Sequence, residues 1–554
     1  MEKNKKTTDL SKMTREELEK NYIEKEIELN AIKLTKADEI EKLLAKIQEL
    51  EEQARLLKSQ KFGKSSEKSK VIEDENQLKL SIFNEVETIA DVAPVAEEIE
   101  MVDIAPPVKA RKKKSKLDKT IKKLPKETYE YKLSNEEMSC PKCSSGLGYM
   151  KKTLRKELCI IPAKVYVKEH ITYHYSCRNC QETGEGAPII SAQSPKFLFN
   201  SGVASPSLVS YIIKNKYIDH MPIYRQEQDF KNRGLKIPRA NISNWIMQGA
   251  EKYLSYIYDE MKEDLLREPI IHADETPCEV INEPGKTDGP RNGYMWVYTT
   301  AKRRKDITIY EYANTRSGDI PKEFLKGYSG YLQTDGYGGY NKVINIINSK
   351  VKRVGCFAHV RRKYSDAIKA MPKEAKEQRN TGAHIGLNYM NKLFSLDEEC
   401  KLLEINEAAI FKESTIKPLL DEYFNWAKEN APLYIKGLTK DALMYSVNQE
   451  NILRNYLLDG EIECSNNKAE RAIKPFVIGR KNYLFHNTPR GANASAIIYS
   501  IAQSAKNNNL DILGYLECIF FTLSQLQVIE KSELQKLLPY SKEMIEKFKL
   551  MEEN

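Results

Sequence analysis

Residues 267–277, REPIIHADETP, form an apolar run that leads into two acidic residues, Asp274 and Glu275. Two more runs rich in aromatic and β-branched residues follow, GYMWVYTT (293–300) and DITIYEY (306–312). Short runs of this composition, separated by turn-forming Gly, Lys and Asp, are typical of strands joined by tight connections. The stretch therefore predicts the antiparallel three-strand start of a mixed α/β sheet, with Asp274 at the end of the first strand.

The chain then alternates between helix and strand. A helix near 320–325 precedes SGYLQTDGYGGY (329–340), which predicts a strand ending at Asp335, and KVKRVGCFAHVRRKYSDA (350–367) predicts another strand and helix. Strand ends are where α/β sheets gather their chemistry, so we expect Asp274 and Asp335 to lie close together. Clustered carboxylates repel each other unless a cation binds them, and hard oxygen ligands favour Mg²⁺ or Mn²⁺.

A third acid comes from SNNKAERAIKPFVIGRKNYLF (465–485), which predicts a helix capped by Ser465 or Asn466, with Glu470 about one turn in. Pro475 is expected to end or kink this helix. Three acids would complete a pair of metal sites about 4 Å apart, as used for in-line phosphoryl transfer. Five basic residues near the acid are expected to bind phosphate: Arg471, Lys474, Arg480, Lys481 and Arg490.

Each of these acids also has an ordinary interpretation. An aspartate at a strand end is often a turn residue, and a glutamate on a helix is usually solvated. From the residues alone, Glu275 competes with Glu470 for the third place. The order Asp, Asp, Glu, flanked by basic residues and turn glycines, favours the joint interpretation.

Residues 14–62 predict a helix with a heptad seam, which favours a coiled coil and self-association. The alternative is an amphipathic helix packed on its own chain, and Lys33 and Lys36 interrupt the upstream part of the seam. The seam consists of Ile40, Leu43, Ile47, Leu50, Ala54 and Leu57.

Residues 70–125 predict a charged linker whose basic run offers at most nonspecific contact with phosphate.

Two C-x-x-C pairs within residues 126–192 predict a zinc-binding ribbon. Each pair aims two thiolates at one tetrahedral ion, and two pairs close the site, so the zinc would be structural. Four reduced thiols meeting by coincidence, or a redox pair, are the alternatives. The proposed ligands are Cys140, Cys143, Cys177 and Cys180.

Residues 200–256 predict a helix-turn-helix region, with a turn at Gly234 and a last helix that begins near Pro238. On that helix Ile242, Trp245 and Ile246 would pack inward. An ordinary helical core gives the same pattern, and DNA contact is the functional interpretation. The residues expected to face DNA are Arg239, Asn241, Ser243 and Asn244.

Composition sets broad limits. Lys and Arg number 88 against 79 Asp and Glu, a net charge of +9 that by itself proves no partner. The mean hydropathy is −0.58, and no apolar run reaches the roughly 18 residues of a membrane span. The N-terminus lacks the apolar core of a secretory signal, so we expect a cytoplasmic protein and no membrane partner.

At these motifs the chain resembles transposases of the insertion sequence 66 family, a branch of the Asp-Asp-Glu transposases. The resemblance covers about residues 15 to 525, apart from the linker. The matching stretches are HADETP, QTDGYGGYNK, CFAHVRRKY, NNKAERAIKPFVIGRKNYLF, KFGKSSEK, NKYIDHMPIYRQEQDF and the paired C-x-x-C motifs.

The resemblance implies a multidomain α/β protein with a ribonuclease-H-like core over 265–500, interrupted by a helical insertion over about 372–459. A C-terminal helical region would follow over 501–554. The resemblance also implies that Asp274, Asp335 and Glu470 bind two Mg²⁺ or Mn²⁺ ions. Cys356 and His359 would support this site structurally rather than as ligands.

The function so implied is cleavage of DNA at the terminal inverted repeats of a transposon, followed by strand transfer into target DNA. Double-stranded DNA would be the partner, the coiled coil would join protomers, and the protein would be associated with a bacterial nucleoid. A need for accessory transposition proteins stays open. The alternatives are another ribonuclease-H-like nuclease, such as a junction resolvase, and a domesticated, noncatalytic DNA-binding regulator.

Overall fold

The computed structural model describes thirteen stretches of the chain, and its contacts divide the chain into two compact units. One unit comprises Met1–Gly63 and Thr172–Leu550, and the other comprises Lys64–Ile171 and Met551–Asn554. The described residues are 25–26, 43–44, 46–47, 49–58, 102–103, 153–154, 165–171, 173–176, 189–191, 196–199, 203–284, 292–345 and 349–550.

Two short strand pairs lie upstream of the main sheet. In the smaller unit β1 (Val102–Asp103) pairs antiparallel with β2 (Thr153–Leu154). In the larger unit β3 (His174–Ser176) pairs antiparallel with β4 (Ile189–Ser191). The four cysteines of the predicted zinc ribbon lie outside the described residues.

The larger unit contains a five-stranded mixed sheet in the order β7-β6-β5-β8-β9. The first three strands in the chain pair antiparallel, and β8 and β9 run parallel to β5. The predicted mixed α/β sheet and its antiparallel start are therefore confirmed. The strands are β5 (Ile270–Glu279), β6 (Asn292–Thr300), β7 (Thr308–Ala313), β8 (Gly330–Gln333) and β9 (Val351–Val354).

The predicted end of β5 at Asp274 is wrong. Strand β5 continues to Glu279, because β6 pairs with it along its whole length, with Asp274 opposite Val297 and Glu279 opposite Asn292. Its other neighbour, β8, pairs only as far as His272. The second half of β5 is thus an edge on that side, where a proline such as Pro277 is tolerated.

Between residue 203 and the sheet the structure describes four α-helices, and two short ones interrupt the described part of the sheet. The helix-turn-helix geometry predicted around Gly234 is present, since that glycine has a φ of +81° and the next helix begins at Arg239. A π-helical turn, Ala250–Leu254, joins the last two of the four. The helices are α1 (Pro206–Tyr217), α2 (Ile223–Asn232), α3 (Arg239–Gly249), α4 (Ser255–Leu265), α5 (Asp319–Phe324) and α6 (Asn341–Ile344).

Helix α7 (Phe357–Ala370) follows β9 and leads into the predicted insertion, which is helical as expected. Its described residues form five α-helices, and all but the first of them pack with α7 around a hydrophobic core that includes Tyr364, Tyr423 and Leu443. The insertion helices are α8 (Lys373–Gln378), α9 (Gly382–Cys400), α10 (Ile405–Phe411), α11 (Lys417–Asn430) and α12 (Leu438–Arg454).

After the insertion the chain returns to the sheet with α13 (Asn467–Tyr483), which packs against β5 and β6. This helix runs through Pro475, so the expectation that proline might end it is wrong. The remaining helices are α14 (Pro489–Asn507), α15 (Ile512–Gln525), α16 (Lys531–Lys536) and α17 (Lys542–Phe548).

Helix α14 covers the edge strand β7. Ser500 Oγ accepts a hydrogen bond from the backbone N–H of Tyr310 at 2.8 Å, and Ser504 Oγ accepts one from Thr308 at 2.9 Å. The unpaired N–H groups of an exposed edge strand can bind a strand of another chain. The two serine hydroxyls accept hydrogen bonds from these N–H groups, and α14 covers the edge of β7. Helices α1 to α4, α14 and α15 share one hydrophobic core with the sheet.

Residues 49–58 are helical and contact α7 and the insertion through polar side chains. Arg55 Nε donates to the carbonyl oxygen of Ala370 at 2.7 Å, and a Glu52 oxygen accepts from the N–H of Leu438 at 3.1 Å. The described seam residues instead face solvent, with Leu43 and Leu57 about 60% exposed. None of the described helices is long and apolar enough to cross a membrane.

Candidate active site

Asp274, within β5, lies near Asp335, which follows the end of β8 by two residues. In the parallel register of β5 and β8, His272 pairs with Gln333, so two residues further along each chain bring Asp274 beside Asp335. Neighbouring strands are about 4.8 Å apart. Backbone N–H groups hold each carboxylate, since Glu275 donates to Asp274 Oδ1 and Tyr337 to Asp335 Oδ1, both at 2.9 Å.

Glu470 joins them from the first turn of α13. Burial raises the pKa of Asp274 to about 8, and the negative charges of Glu275, Asp335 and Glu470 contribute to the rise. A carboxylate is affected in this way only when the other acids are near. The structure thus brings the three predicted acids together, although Glu470 comes from beyond the insertion.

Glu275 faces different partners. Tyr340 donates to its Oε2 at 2.6 Å, and the Arg316 guanidinium donates twice to its Oε1, at 2.6 and 2.9 Å. Burial raises the pKa of Glu275, while these two partners lower it. Both oxygens are therefore already used within the fold.

One carboxylate oxygen of Glu470 lacks a hydrogen-bond partner in the part of the chain that the structure describes. Its Oε2 accepts from Arg362 at 3.1 Å, whereas its Oε1 is buried and has no hydrogen-bond partner among the described residues. A buried acceptor without a partner is costly, which makes this atom a natural ligand for a cation. Sequence analysis of the Glu470 motif did not single out Arg362, although it lies in the matching CFAHVRRKY stretch.

Asn466 connects the two halves of the site. It is the N-terminal flanking residue of α13, as predicted, but its side chain makes no capping bond. Instead its Nδ2 donates to the carbonyl oxygen of Ala273 at 2.8 Å, and its Oδ1 lies 3.1 Å from Nδ1 of the buried His272. The expected side-chain cap is wrong because the amide is used to fix α13 to β5 beside Asp274.

Arg353 shapes the loop that carries Asp335. This arginine, on β9, is only 3% exposed. It donates to the backbone oxygens of Asp335 and Tyr337 at 2.6 and 2.8 Å, and to the side chains of Thr334 and Asn341. Sequence analysis missed this role, because nothing local to a strand arginine indicates which loop it will hold.

The insertion contributes one wall of the site through Tyr445. A Cβ atom added to Gly336, next to Asp335, would lie 2.6 Å from the Tyr445 hydroxyl oxygen. Only glycine therefore lets α12 approach the Asp335 loop this closely. Burial raises the pKa of Tyr445, and the nearby Cys356 and Asp335 add to the effect.

Comparison with known proteins gives matches to three protein-family models. A model of the transposase IS66 family matches residues 201–494, more than half of the chain, and includes all three acids. The chain belongs to the IS66 transposase family. Within this family the chain also matches the zinc-finger binding domain of transposase IS66 over residues 137–181, and a model described as transposase C of IS166 homeodomain over residues 49–128.

Curated relatives of this IS66-family chain include three uncharacterized proteins of Sinorhizobium fredii. The protein y4qI is 28% identical over 370 residues, covering 64% of this chain and 65% of its own length. The protein y4hP is 24% identical over 73% of both chains, and y4jD is 26% identical over 74% of this chain and 80% of its own. The match thus spans just under two thirds of y4qI.

The zinc-finger match supports structural zinc in the IS66-family chain, because residues 137–181 contain every cysteine of the predicted site. The chemistry of the donor set agrees, since four thiolates are a complete ligand set for zinc. The cysteines concerned are Cys140, Cys143, Cys177 and Cys180.

Most of the α3 residues that were predicted to face DNA are exposed. Arg239, Asn241 and Asn244 are exposed and Ser243 is half-buried, while Ile242, Trp245 and Ile246 are buried. Arg239 is not free, because it pairs with Glu227 at 3.0 Å. DNA contact by these residues stays a prediction.

The basic residues predicted around Glu470 fall into two groups. Arg480 donates to the carbonyl oxygen of Pro277, and Arg490 forms an ion pair with Glu251, so both have roles within the fold. Arg471 and Lys474 are half-buried on α13, and Lys481 is exposed. Binding of phosphate by this group also stays a prediction.

Crowding of the acids predicts a stability effect that depends on pH. The pKa of Asp274 is near 8 in the fold and about 3.9 in an unfolded chain, so folding favours its protonated form. The metal-free protein should lose stability as pH rises from about 4 to about 8. Asp274→Asn should therefore raise the melting temperature in magnesium-free buffer, most at pH 8 and progressively less towards pH 4.

Thermal melting, without chelator, of protein that holds one zinc per chain measures this difference. Added Mg²⁺ should stabilise the wild-type protein more than Asp274→Asn, because the amide is a poorer ligand. A difference between the two proteins that does not change with pH would contradict the raised pKa of Asp274, which burial and the neighbouring acids cause.

Proposed function

We propose that this IS66-family chain is an Asp-Asp-Glu transposase that cleaves DNA at transposon ends and joins the freed ends to target DNA. The observation that carries the proposal is the convergence of Asp274, Asp335 and Glu470 at one edge of the sheet, with a buried Glu470 oxygen lacking a partner. No side-chain nucleophile is needed in such a reaction, since water and then a DNA 3′-hydroxyl attack the phosphate.

The sheet supports a ribonuclease-H-like core. Counted within the sheet, its strands lie in the order third, second, first, fourth, fifth, with an antiparallel start and two parallel strands after it. This is the arrangement that the family resemblance implies. A helical insertion, which shares its hydrophobic core with α7 and part of the sheet, then separates Asp335 from Glu470.

The residues present fit divalent magnesium or manganese. Their donors are carboxylate oxygens, which these hard ions prefer. Burial, with a smaller contribution from the neighbouring negative charges, raises the pKa of Asp274, and a bound cation would favour its ionised form. Asp274, Asp335 and Glu470 would hold the ions. When bound, two such ions would supply an activated water and stabilise charge on the attacking and leaving oxygens.

The surrounding residues have defined tasks in this proposal. Arg353 and Asn466 keep the Asp335 loop and α13 in place, and Arg362 neutralises Glu470 and lies ready to bind a DNA phosphate. The exposed side chains of α3 and the zinc-binding region would bind the inverted repeats. The exposed seam that includes Leu43 and Leu57 would pair two protomers, since two transposon ends must be held together.

Product analysis on a plasmid that carries the element's own ends tests the proposal. With Mg²⁺, the purified protein should nick at the ends and then join those ends to a second plasmid. Cleavage without joined products would favour a ribonuclease-H-like nuclease. Binding of the ends without cleavage, with Asp335→Ala as active in the cell as wild type, would favour a noncatalytic regulator.

A further inference from the structure

A second set of ligand atoms lies next to the proposed magnesium centre. Cys356 Sγ, a ring nitrogen of His359 and a carboxylate oxygen of Glu470 all lie within 4.8 Å of one another. Cys356 and His359 come from the start of α7, and Glu470 comes from the start of α13. The fold thus assembles a sulfur, a nitrogen and an oxygen from two helix starts.

The sulfur is buried but has donors around it. Cys356 is 1% exposed, and the backbone N–H of Asn466 donates to its Sγ at 3.1 Å. Burial raises the pKa of the Cys356 thiol to about 12, and the backbone N–H groups of Asn466, His359 and Ala358 offset only part of that rise. The sulfur is therefore a thiol in the metal-free protein, and a cation would have to replace its proton.

The nitrogen and the oxygen face each other without bonding. His359 Nδ1 and Glu470 Oε1 are 3.8 Å apart, too far for a hydrogen bond, and neither buried atom has another partner among the described residues. Two ligands of one tetrahedral zinc ion lie roughly 3.4 Å apart, given zinc bond lengths of about 2.1 Å. A small closure would therefore let one ion satisfy both atoms.

We propose that Cys356, His359 and Glu470 form a binding site for zinc, separate from the four-cysteine site of the zinc-finger region. Thiolate and imidazole select zinc over magnesium, whereas the Asp274 and Asp335 oxygens select magnesium. Binding releases the Cys356 thiol proton to solvent, and the sulfur, nitrogen and oxygen each donate an electron pair to the ion.

Because Glu470 belongs to both sets, zinc at this site competes with magnesium for it. This second statement rests on the proposed function, whereas zinc binding itself does not. Zinc would then act as an inhibitor of the Mg²⁺-dependent reaction by drawing Glu470 away from Asp274 and Asp335.

Zinc content of the purified full-length chain tests the site. After equilibration with micromolar free zinc under reducing conditions, wild type should hold about two ions per chain, one of them in the four-cysteine site. Cys356→Ala and His359→Ala should each hold about one. Cys278→Ala is the matched control, since Cys278 is equally buried on β5 but lies outside the cluster, and it should keep about two.

Cobalt absorption supplies a second readout that does not depend on activity. On protein whose four-cysteine site already holds zinc, added Co²⁺ should give a thiolate-to-metal band that is lost in His359→Ala. His359 is partly exposed, so this variant should fold even if Cys356→Ala does not. About one zinc in wild type, or about two in both cluster variants, would overturn the site.

The two proposals fail in different ways. Loss of cleavage in Glu470→Gln, with zinc content unaffected by Cys356→Ala and His359→Ala, would leave the transposase proposal standing and remove the zinc site. The reverse result, a loss of zinc in the cluster variants with full cleavage by Glu470→Gln, would support the zinc site and remove the catalytic role of Glu470.

Discussion

Asp335→Asn should lower the rate of Mg²⁺-dependent DNA cleavage by on the order of a thousandfold. A metal centre of this kind contributes several kcal/mol of transition-state stabilisation, and each 1.36 kcal/mol corresponds to a factor of ten in rate. The amide is close to the carboxylate in size and can still accept from the Tyr337 N–H that holds Asp335 at 2.9 Å. Single-turnover cleavage of a labelled end fragment measures the change.

Asp319→Asn is the control for this substitution. Asp319 is an exposed acid at the start of α5 that pairs with Lys342, and its loss should change the rate by less than about threefold. Binding of the end fragment, measured in the absence of divalent ions, should be the same for wild type and both variants. Cleavage by Asp335→Asn at the wild-type rate would remove Asp335 from the reaction.

Arg353→Met should destabilise the larger unit by on the order of 3 kcal/mol. Methionine replaces most of the buried side-chain volume, but it leaves the oxygens of Thr334, Asp335, Tyr337 and Asn341 without their shared donor. Each buried acceptor left unsatisfied costs about 1–3 kcal/mol, and relief of the buried charge offsets part of the total. Thermal melting at fixed zinc concentration measures the loss.

Arg353→Lys should restore only part of this stability, because a lysine ammonium is a point charge that cannot reproduce the planar fork of four hydrogen bonds. Arg267→Met is the control on the surface, since Arg267 is 61% exposed and should change stability by less than about 0.5 kcal/mol. An Arg353→Met variant with the wild-type melting temperature would show that the Asp335 loop is held by other contacts.

The sheet could be predicted from the sequence because its signals are local. The runs that became β6 and β7 are dense in aromatic and β-branched residues. The turn glycines after Asp335 indicate the end of β8 to within two residues, since the strand ends at Gln333. The end of β5 could not be predicted in this way. Its continuation past Asp274 depends on pairing with β6, a contact between strands rather than a property of the run itself.

The candidate site shows the same division. Sequence patterns and the family resemblance selected Asp274, Asp335 and Glu470, but the residues alone could not separate Glu470 from Glu275. The structure distinguishes the two glutamates through long-range contacts, since Arg316 and Tyr340 donate hydrogen bonds to the two carboxylate oxygens of Glu275. Such contacts leave no periodic signature in the chain.

The residues that position the site were missed for a related reason. Asn466 looked like an ordinary helix cap, whereas its side chain reaches a carbonyl oxygen nearly two hundred positions earlier in the chain. Tyr445 lies in an insertion whose sequence shows helices but not where they pack. In both cases a residue type fits many local roles, and only the packing selects one.

Manganese affinity, measured by electron paramagnetic resonance on protein that holds one zinc per chain, bears most directly on the proposed three-carboxylate centre. Wild type, Glu470→Gln and Glu275→Gln form the comparison, because the two glutamates are the rival third ligands. Glu470→Gln should weaken Mn²⁺ binding at least about tenfold, while Glu275→Gln should stay within about threefold of wild type. Loss of Mn²⁺ binding in Glu275→Gln together with full binding in Glu470→Gln would contradict the assignment of Glu470 to the centre.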